Sequence, residues 1–423
     1  MIPNYTSNEI CQQLFHPYFL EYHLIICMSG FYRFKSVSST TDYHFLSIYF
    51  IIVSYMFKIF IKLIFLSAIV LLISILWNLQ GFVALYTPWN CSSPLHSDSP
   101  RILIVWKMGT GEREFLNRLK ITAEKDGVEL CVYQQRGTWY EKYVRSIIMN
   151  RIISVFQPNF ALHFDGASIP TSGVPSYLLI FNGFDQFFDP QNDRADVKNF
   201  QGFFYCAKDH SPLKKYLEDA GLPFKGMRIY PTCQNELFSS PINLKNDPSL
   251  FYCGHGWDAR RTSNFIQNVM LNLESHGLLS VYGRAKVWTY LKSAYKGFLP
   301  SDGRTFLHAM HDKGITLILH SSEHIENAAP SGRIFEAAAA NTLIISDRHP
   351  FVQEYFGDNV LYLDETDDPI ALSQQILDYI QWAKNNPELA EDLANACHNI
   401  FLENFTLEKQ LETMIKFTNQ TCN

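Results

Sequence analysis

Residues 329–347, APSGRIFEAAAANTLIISD, read as a tight loop, a short helix and a buried strand. Pro330, Ser331 and Gly332 make a turn whose small residues leave backbone N–H groups accessible. The helix opens near Arg333, where unpaired N–H groups and the helix dipole favour an anion. Glu336 follows one turn in, and Ala337 to Ala340 let the helix pack closely on a neighbour. The apolar run 343–346 ends in Ser346 and Asp347, as a parallel strand does at the mouth of a crevice. A carboxylate one turn behind an anion-binding loop is placed to hold the ribose of a nucleotide whose phosphates rest on the loop. The plainer reading is an ordinary αβ unit with Arg333 and Glu336 in a surface ion pair.

The pattern extends on both sides of this stretch. In the N-terminal direction, 315–320 is a strand and 301–312 a helix with Ser301 as its cap. Further back, 288–295 is helical, 278–282 is a strand ending at Gly283, 262–275 is a helix, and 250–253 is a strand leading into GHGWDARR. In the C-terminal direction, 360–363 is a strand, and 370–385, 388–402 and 405–419 are helices. A first run of the same kind begins at Arg101, with strands at 101–107, 128–133, 159–164, 177–181, 202–206 and 227–230. Helices alternating with short apolar strands specify parallel sheets covered on both faces. The segment 231–241, PTCQNELFSSP, separates the two runs. Gly109-Thr-Gly111 after the first strand is an incomplete dinucleotide fingerprint, because Glu114 stands at the third glycine position, and it reads as an open loop facing the crevice.

Composition narrows the class. Of the 423 residues 47% are apolar and 18% charged, enough for two domains with a sizeable core. The net charge of −6 argues against a nucleic-acid binder. The nine cysteines are scattered without CxxC or Cys/His spacing, so neither a zinc site nor a disulfide framework is indicated, and Cys131, Cys206 and Cys253 read as free thiols in buried strands. Asn90-Cys-Ser, Asn404-Phe-Thr and Asn419-Gln-Thr fit the glycosylation triplet, which matters only in a secretory compartment.

Residues 1–45 show no periodicity and read as a poorly ordered tail, with Met56 an alternative start. Residues 46–86 read as a membrane segment with its core at 63–86, and the run 63–77 is broken only by Ser67 and Ser74. A cleaved signal peptide is the competing reading, but no small-x-small site follows Trp77, which favours an uncleaved anchor. Lys58 and Lys62 form a basic flank, and by the positive-inside rule this charge bias favours the lumenal or exterior side for the large domain without deciding it. Residues 87–100 are a Pro/Ser-rich linker.

Two Rossmann-like halves, the PTxxNxxxF-type linker, the Gly-rich loop with basic residues after the first strand of the second half, and the P-S-G-R-x-F-E-A helix together resemble GT-B glycosyltransferases. The likeness is to the CgeB-like group of family-1 and family-4-type enzymes. It covers about 101–417 and is strongest over 250–363, including NVLYLDETDDP at 359–369. The resemblance implies an acceptor domain at 101–240, a nucleotide-sugar domain at 241–400 and a C-terminal helix at 401–423. It implies that Glu336 binds the ribose, and that Ser331, Gly332 and Arg333 face the diphosphate and sugar. Gly254, His255 and Gly256 would form the turn under the donor phosphates, Tyr282 and Gly283 the base-binding rim. Arg260 or Arg261 would neutralise the leaving diphosphate, where fixed positive charge lowers the barrier. No metal or other cofactor is implied, and the run 364–368 reads as a solvated acidic turn. One departure is that Ala328 stands eight positions before Glu336, where many retaining members carry a second Glu. On the acceptor side, His163 and Asp185 are the candidate bases, with Asp165 nearby. The function expected is transfer of a sugar from a nucleotide-sugar donor to a glycan, lipid or protein. A nucleotide-sugar epimerase and a non-catalytic binding protein on the same scaffold are the rival readings.

Overall fold

The structure, a computed structural model, describes residues 40–421 except 86–90, 92–97, 108–109, 136–140, 165–169, 182–194, 209–210, 239–241, 243, 245–247 and 255–257. The chain divides into two compact units, Met1–Ala84 and Leu85–Asn423.

The first unit contains helix α1, Thr40–Leu85. Within it Ile51–Ile75 is long and apolar enough to cross a membrane, and its side chains are exposed. The span therefore begins earlier than residue 63, because 46–57 continues the same helix. Lys58 and Lys62 lie inside the apolar window, one turn apart, rather than flanking it. At that position their stems would lie along the apolar surface, and they no longer give the orientation a basic flank to rest on.

The second unit holds two six-stranded parallel sheets. The first contains β1 (Arg101–Lys107), β2 (Glu129–Gln135), β3 (Phe160–Phe164), β4 (Ser176–Ile180), β5 (Gly202–Tyr205) and β6 (Gly226–Arg228), in the order β2-β1-β3-β4-β5-β6. Its helices are α2 (Thr110–Lys125), α3 (Glu141–Phe156) and α4 (Ser211–Asp219). β1, β3 and β4 are near-continuous apolar runs buried on both faces, which is what central strands of a covered parallel sheet require. The segment expected as an open loop at 109–111 is otherwise built, since α2 already begins at Thr110.

The second sheet contains β7 (Ser249–Cys253), β8 (Leu279–Tyr282), β9 (Tyr295–Gly297), β10 (Gly314–Ile318), β11 (Leu343–Ser346) and β12 (Leu361–Tyr362), in the order β12-β11-β10-β7-β8-β9. Helices α5 (Asn264–Ser275), α6 (Thr305–Lys313), α7 (Ser322–Glu326), α8 (Gly332–Ala339), α9 (Pro350–Phe356), α10 (Pro369–Asn385) and α11 (Pro387–Asn404) accompany it. The chain runs outward from β7 to β9, returns to β10 on the other side of β7 and runs outward again. The strand direction of travel thus reverses between β7 and β10, the usual place for a ligand in such a sheet.

Two local expectations give way here. Residues 288–295 are not a helix: after a 3-10 turn at Ala285–Val287 the chain passes through a turn and bends to Tyr295, where β9 begins. Trp288, Leu291 and Ala294 fill the core at a spacing of three, which imitates a helical period. Ser301 does not cap α6. The Asp302 carboxylate accepts from Arg304 N (2.9 Å) and Thr305 N (2.8 Å), which satisfies the first free amides instead.

Cys91 and Cys131 form a disulfide, contrary to the free thiol expected at Cys131. Their 40-residue separation carries no spacing signature, and only the alignment of Cys91 beside β2 brings them together.

The final helix α12, Leu407–Thr421, returns to the first sheet. Leu407, Leu411 and Met414 join its core, and the Tyr177 hydroxyl meets Thr421 Oγ1 at 2.5 Å. Two Rossmann-like domains in series facing a cleft, with the last helix crossing back, make the GT-B arrangement. A seam joins the domains. Asn117 Nδ2 on α2 donates to Ser301 O (2.5 Å), and Lys208 N donates to Asn327 O (3.2 Å). Gly303, at φ +85°, permits the close approach: a Cβ there would lie 2.9 Å from Ile121 Cδ1 and 3.2 Å from Arg118 N.

Candidate functional site

Loops following β7, β10 and β11 converge at the switch point. Asp258 ties two of them together: its carboxylate accepts from Arg261 N (3.1 Å) and from Ser322 N (3.3 Å). Arg261 is buried and its Nε donates to Leu319 O at 3.1 Å. Arg260 Nη1 donates to Asp347 Oδ2 and to His320 O, both at 2.6 Å, and its side chain remains 39% exposed. Both arginines thus hold loops together, and Arg260 alone of the two keeps open surface for a further anion.

Asp347 is the centre of a network that the sequence did not announce. Besides Arg260 it accepts from His320 N (3.0 Å) and His320 Nδ1 (2.6 Å). Burial opposes its charge, but the bond from His320 and the nearby Arg260 hold its carboxyl at about 2. His320 is fully buried, stacks on His349 at 4.2 Å and leaves Nε2 without a partner. His349 caps α9: its Nδ1 accepts from Phe351 N (3.2 Å), so Nε2 carries the hydrogen donated to His324 O (3.0 Å). Burial, then the charge of neighbouring histidines, pushes His349 down to about 4 and His324 to about 3. The sequence marks Asp347 and Arg260 but does not join them. The only available signal was histidines just past two strand ends, at 320 and 349.

Residues 330–332 lead into α8, which begins at Gly332. Ser331 caps α8, accepting from Arg333 N at 3.4 Å. Gly332 is required by crowding, because a Cβ would lie 2.9 Å from Pro231 O in the crossing segment. Ala337 to Ala340 are wholly buried. The Arg333 guanidinium stacks on Phe306 at 4.1 Å, and its Nη2 lies 3.8 Å from Cys253 Sγ at the end of β7.

Glu336 differs from expectation. It is 2% exposed, not open at the crevice mouth, and its ion pair with Arg333 is partly buried rather than superficial. Arg118, on α2 of the first domain, donates to Glu336 Oε1 at 2.6 Å, while Arg333 donates to Oε2. Burial would push this carboxyl up, but the two guanidiniums hold it below the usual carboxylate range. Arg118 also meets Glu114 at 3.0 Å.

The remaining candidates are placed as follows. Gly254 follows β7 so closely that a Cβ would lie 2.7 Å from the Tyr252 hydroxyl. Tyr282 is half-buried and stacks on Phe251 at 5.0 Å. Gly283, at φ +134°, donates to Gly297 O (3.0 Å) and accepts from the Tyr295 hydroxyl (2.9 Å). His163 lies in β3 with no exposed surface, its Nε2 3.2 Å from Thr171 Oγ1 and its ring against Phe200. This is the setting of a core histidine, closed to an acceptor hydroxyl. Asp165, Asp185, His255 and Gly256 lie outside the described residues. The structure thus brings together Arg260, Arg261, Ser331, Gly332, Arg333 and Glu336 around β7 and β10, and sets His163 apart. Among the described residues no group of three or more His, Cys, Asp and Glu side chains could hold a metal ion.

The family described as "Glycosyl transferase-like" matches residues 260–416. Among solved structures, a glycosyltransferase from Rickettsia africae is 14% identical, with 77% of this chain and 99% of that chain covered at a TM-score of 0.49. The HepE protein of Anabaena in complex with UDP is 10% identical, with 76% and 100% covered at 0.49. The UDP-GlcNAc 2-epimerase of Neisseria meningitidis bound to UDP-GlcNAc is 12% identical, with 76% and 100% covered at 0.44. No curated protein matches the chain.

Proposed function

We propose that this chain is a membrane-anchored glycosyltransferase. It takes a sugar from a nucleotide-activated donor and passes it to a glycan, lipid-linked or protein acceptor. The observation that carries this is the convergence of the capped N-terminus of α8 with Arg260 and Arg333 at the switch point of the second sheet, inside the segment that matches a glycosyltransferase family.

Cleaving the sugar–phosphate bond leaves charge on the departing nucleotide. The positive end of the α8 dipole and the exposed part of Arg260 are fixed before reaction, so they stabilise that charge without reorganising. Guanidinium groups supply the positive charge that a metal would otherwise provide, which is why a metal-independent mechanism is part of the proposal. Glu336 holds the ribose, Gly254, His255 and Gly256 line the phosphates, and Tyr282 and Gly283 border the base. Asp185 is the proposed acceptor base, following the fourth strand of the first domain. His163 is not carried forward. Helix α1 keeps the enzyme at a membrane, where lipid-linked or surface acceptors are concentrated.

The test is thermal unfolding of the full chain in detergent with UDP, GDP, ADP and CMP, then with their sugars. A ligand at 100 times its Kd adds about 2.7 kcal/mol. A shift selective for one nucleotide, followed by slow release of free sugar from its conjugate, is the expected result. No shift with any nucleotide refutes the donor site. A shift without sugar release or transfer favours a binding protein.

A further inference from the structure

We propose that Arg118 occupies the ribose-binding carboxylate in the ligand-free molecule and that the nucleotide displaces it, so that the first domain and the donor compete for Glu336. This rests on the reading of Glu336 as the ribose carboxylate.

The geometry leaves no other route to that carboxylate. A ribose diol binds a carboxylate by donating to it from two hydroxyls, which needs an accessible oxygen edge. Here Oε1 is held by Arg118 and Oε2 by Arg333, and the residue is 2% exposed. One guanidinium must leave before a ribose can enter.

The surroundings decide which one. Arg333 sits on the same helix as Glu336, one turn away, with its guanidinium stacked on Phe306 and one nitrogen against Cys253 Sγ. Leaving Glu336 would break all of these contacts. Arg118 comes from the opposite domain and already has a second partner, Glu114 Oε1, at 3.0 Å on its own helix. Its Nε makes no hydrogen bond. On release from Glu336 it keeps an ion pair, so its departure is the less costly one.

Its departure also loosens the seam. Arg118 follows Asn117, which donates to Ser301 O, and its backbone lies against Gly303. Nucleotide binding and the seating of α2 on the second domain are therefore linked, each opposing the other by the same free energy.

The test compares the parent with Arg118→Met and Glu336→Gln, as full chains in detergent, using calorimetric titration with UDP, GDP, ADP and CMP. Removing the competitor tightens binding of the nucleotide that the parent takes, roughly tenfold for a coupling of ordinary size. The same substitution lowers the unfolding temperature without ligand. Glu336→Gln weakens binding in the parent and in the Arg118→Met background alike. A purely structural Arg118 gives a less stable protein with equal or weaker affinity, and that result overturns the inference while leaving the donor site intact. If Arg118→Met does not fold, Arg118→Lys serves, because a single ammonium holds one carboxylate oxygen less firmly than a guanidinium. Affinity intermediate between parent and the expected gain supports the competition, and affinity at or below the parent's refutes it. Absence of binding by every nucleotide to parent and variants alike removes the donor reading and the inference with it.

Discussion

Acid should destabilise this protein well above the range where its carboxylates protonate, and the reason is the histidine cluster beside Asp347. His349 is fully buried and needs an unprotonated Nδ1 to cap α9, while His324 presents a buried Nδ1 with no partner. The groups facing them are His320, Asp347 and Arg261, and the balance favours the neutral imidazoles at about 4 and about 3. In the unfolded chain both return to 6.5. Below that pH the unfolded state binds protons that the folded state refuses. Stability is therefore full above pH 6.5 and falls as the pH drops towards 4. At pH 5 a His349 shifted this far costs roughly 2 kcal/mol, and His324, which is partly exposed, somewhat less, so the pair costs about 3 kcal/mol. Asp347, held near 2, adds its own loss only below pH 4, and Glu114, raised by burial, works weakly in the opposite sense. For a unit of this size the loss lowers the unfolding temperature by roughly 5–10 °C. The assay is thermal unfolding at pH 7.5 and pH 5.0 for the parent and for His324→Asn with His349→Asn. Asn at 349 keeps an oxygen to cap α9. The double variant should lose most of the difference between the two pH values. An equal drop in parent and variant would refute the assignment of the acid sensitivity to this cluster.

Two further expectations concern single carboxylates. Glu274 Oε1 accepts from the amides of Lys292, Ser293 and Ala294 at 2.8, 2.6 and 2.7 Å, and so pins the irregular segment that replaces the expected helix. Glu274→Gln should cost about 1–2 kcal/mol in thermal unfolding, and no change would show that Trp288 and Leu291 fix the segment by packing alone. Asp347→Asn puts a donor against His320 or Arg260. It should cost about 2 kcal/mol and lower sugar transfer, and a variant with parental stability and turnover would show that the network is not needed to shape the phosphate side of the site.

The architecture was legible because its signals are local. β1, β3, β4, β10 and β11 are short apolar runs bounded by turn residues, and each is buried on both faces. The start of α8 was legible too, since Pro330, Ser331 and Gly332 are turn residues set directly before a helix-forming run. What failed was decided by partners distant in sequence. The spacing of Trp288, Leu291 and Ala294 satisfied a helical period, yet the core beneath them imposed turns. Cys91 found Cys131 through alignment along β2. The His320–Asp347–Arg260 network joins loops from three strands whose adjacency exists only once the sheet order places β7, β10 and β11 side by side.

Glu336 shows the same limit at the site itself. Sequence places a carboxylate one turn into the helix after the Pro330–Gly332 turn, and the helix and the position of Glu336 in it are as read. Exposure does not follow from it, because exposure depends on what the other domain brings. Arg118 lies 218 residues away, on a helix whose sequence announces only an amphipathic surface. Its side chain reaches the carboxylate because Gly303 lets the two domains approach closely at that point. A bulkier residue at 303 would meet Ile121 and the backbone of Arg118 and hold the domains apart. Gly303→Val should therefore weaken the seam and free Glu336 without replacing either arginine. Its nucleotide affinity should move in the same direction as that of Arg118→Met. Opposite directions would mean that the crowding at Gly303 and the ion pair at Glu336 are separate features of the seam.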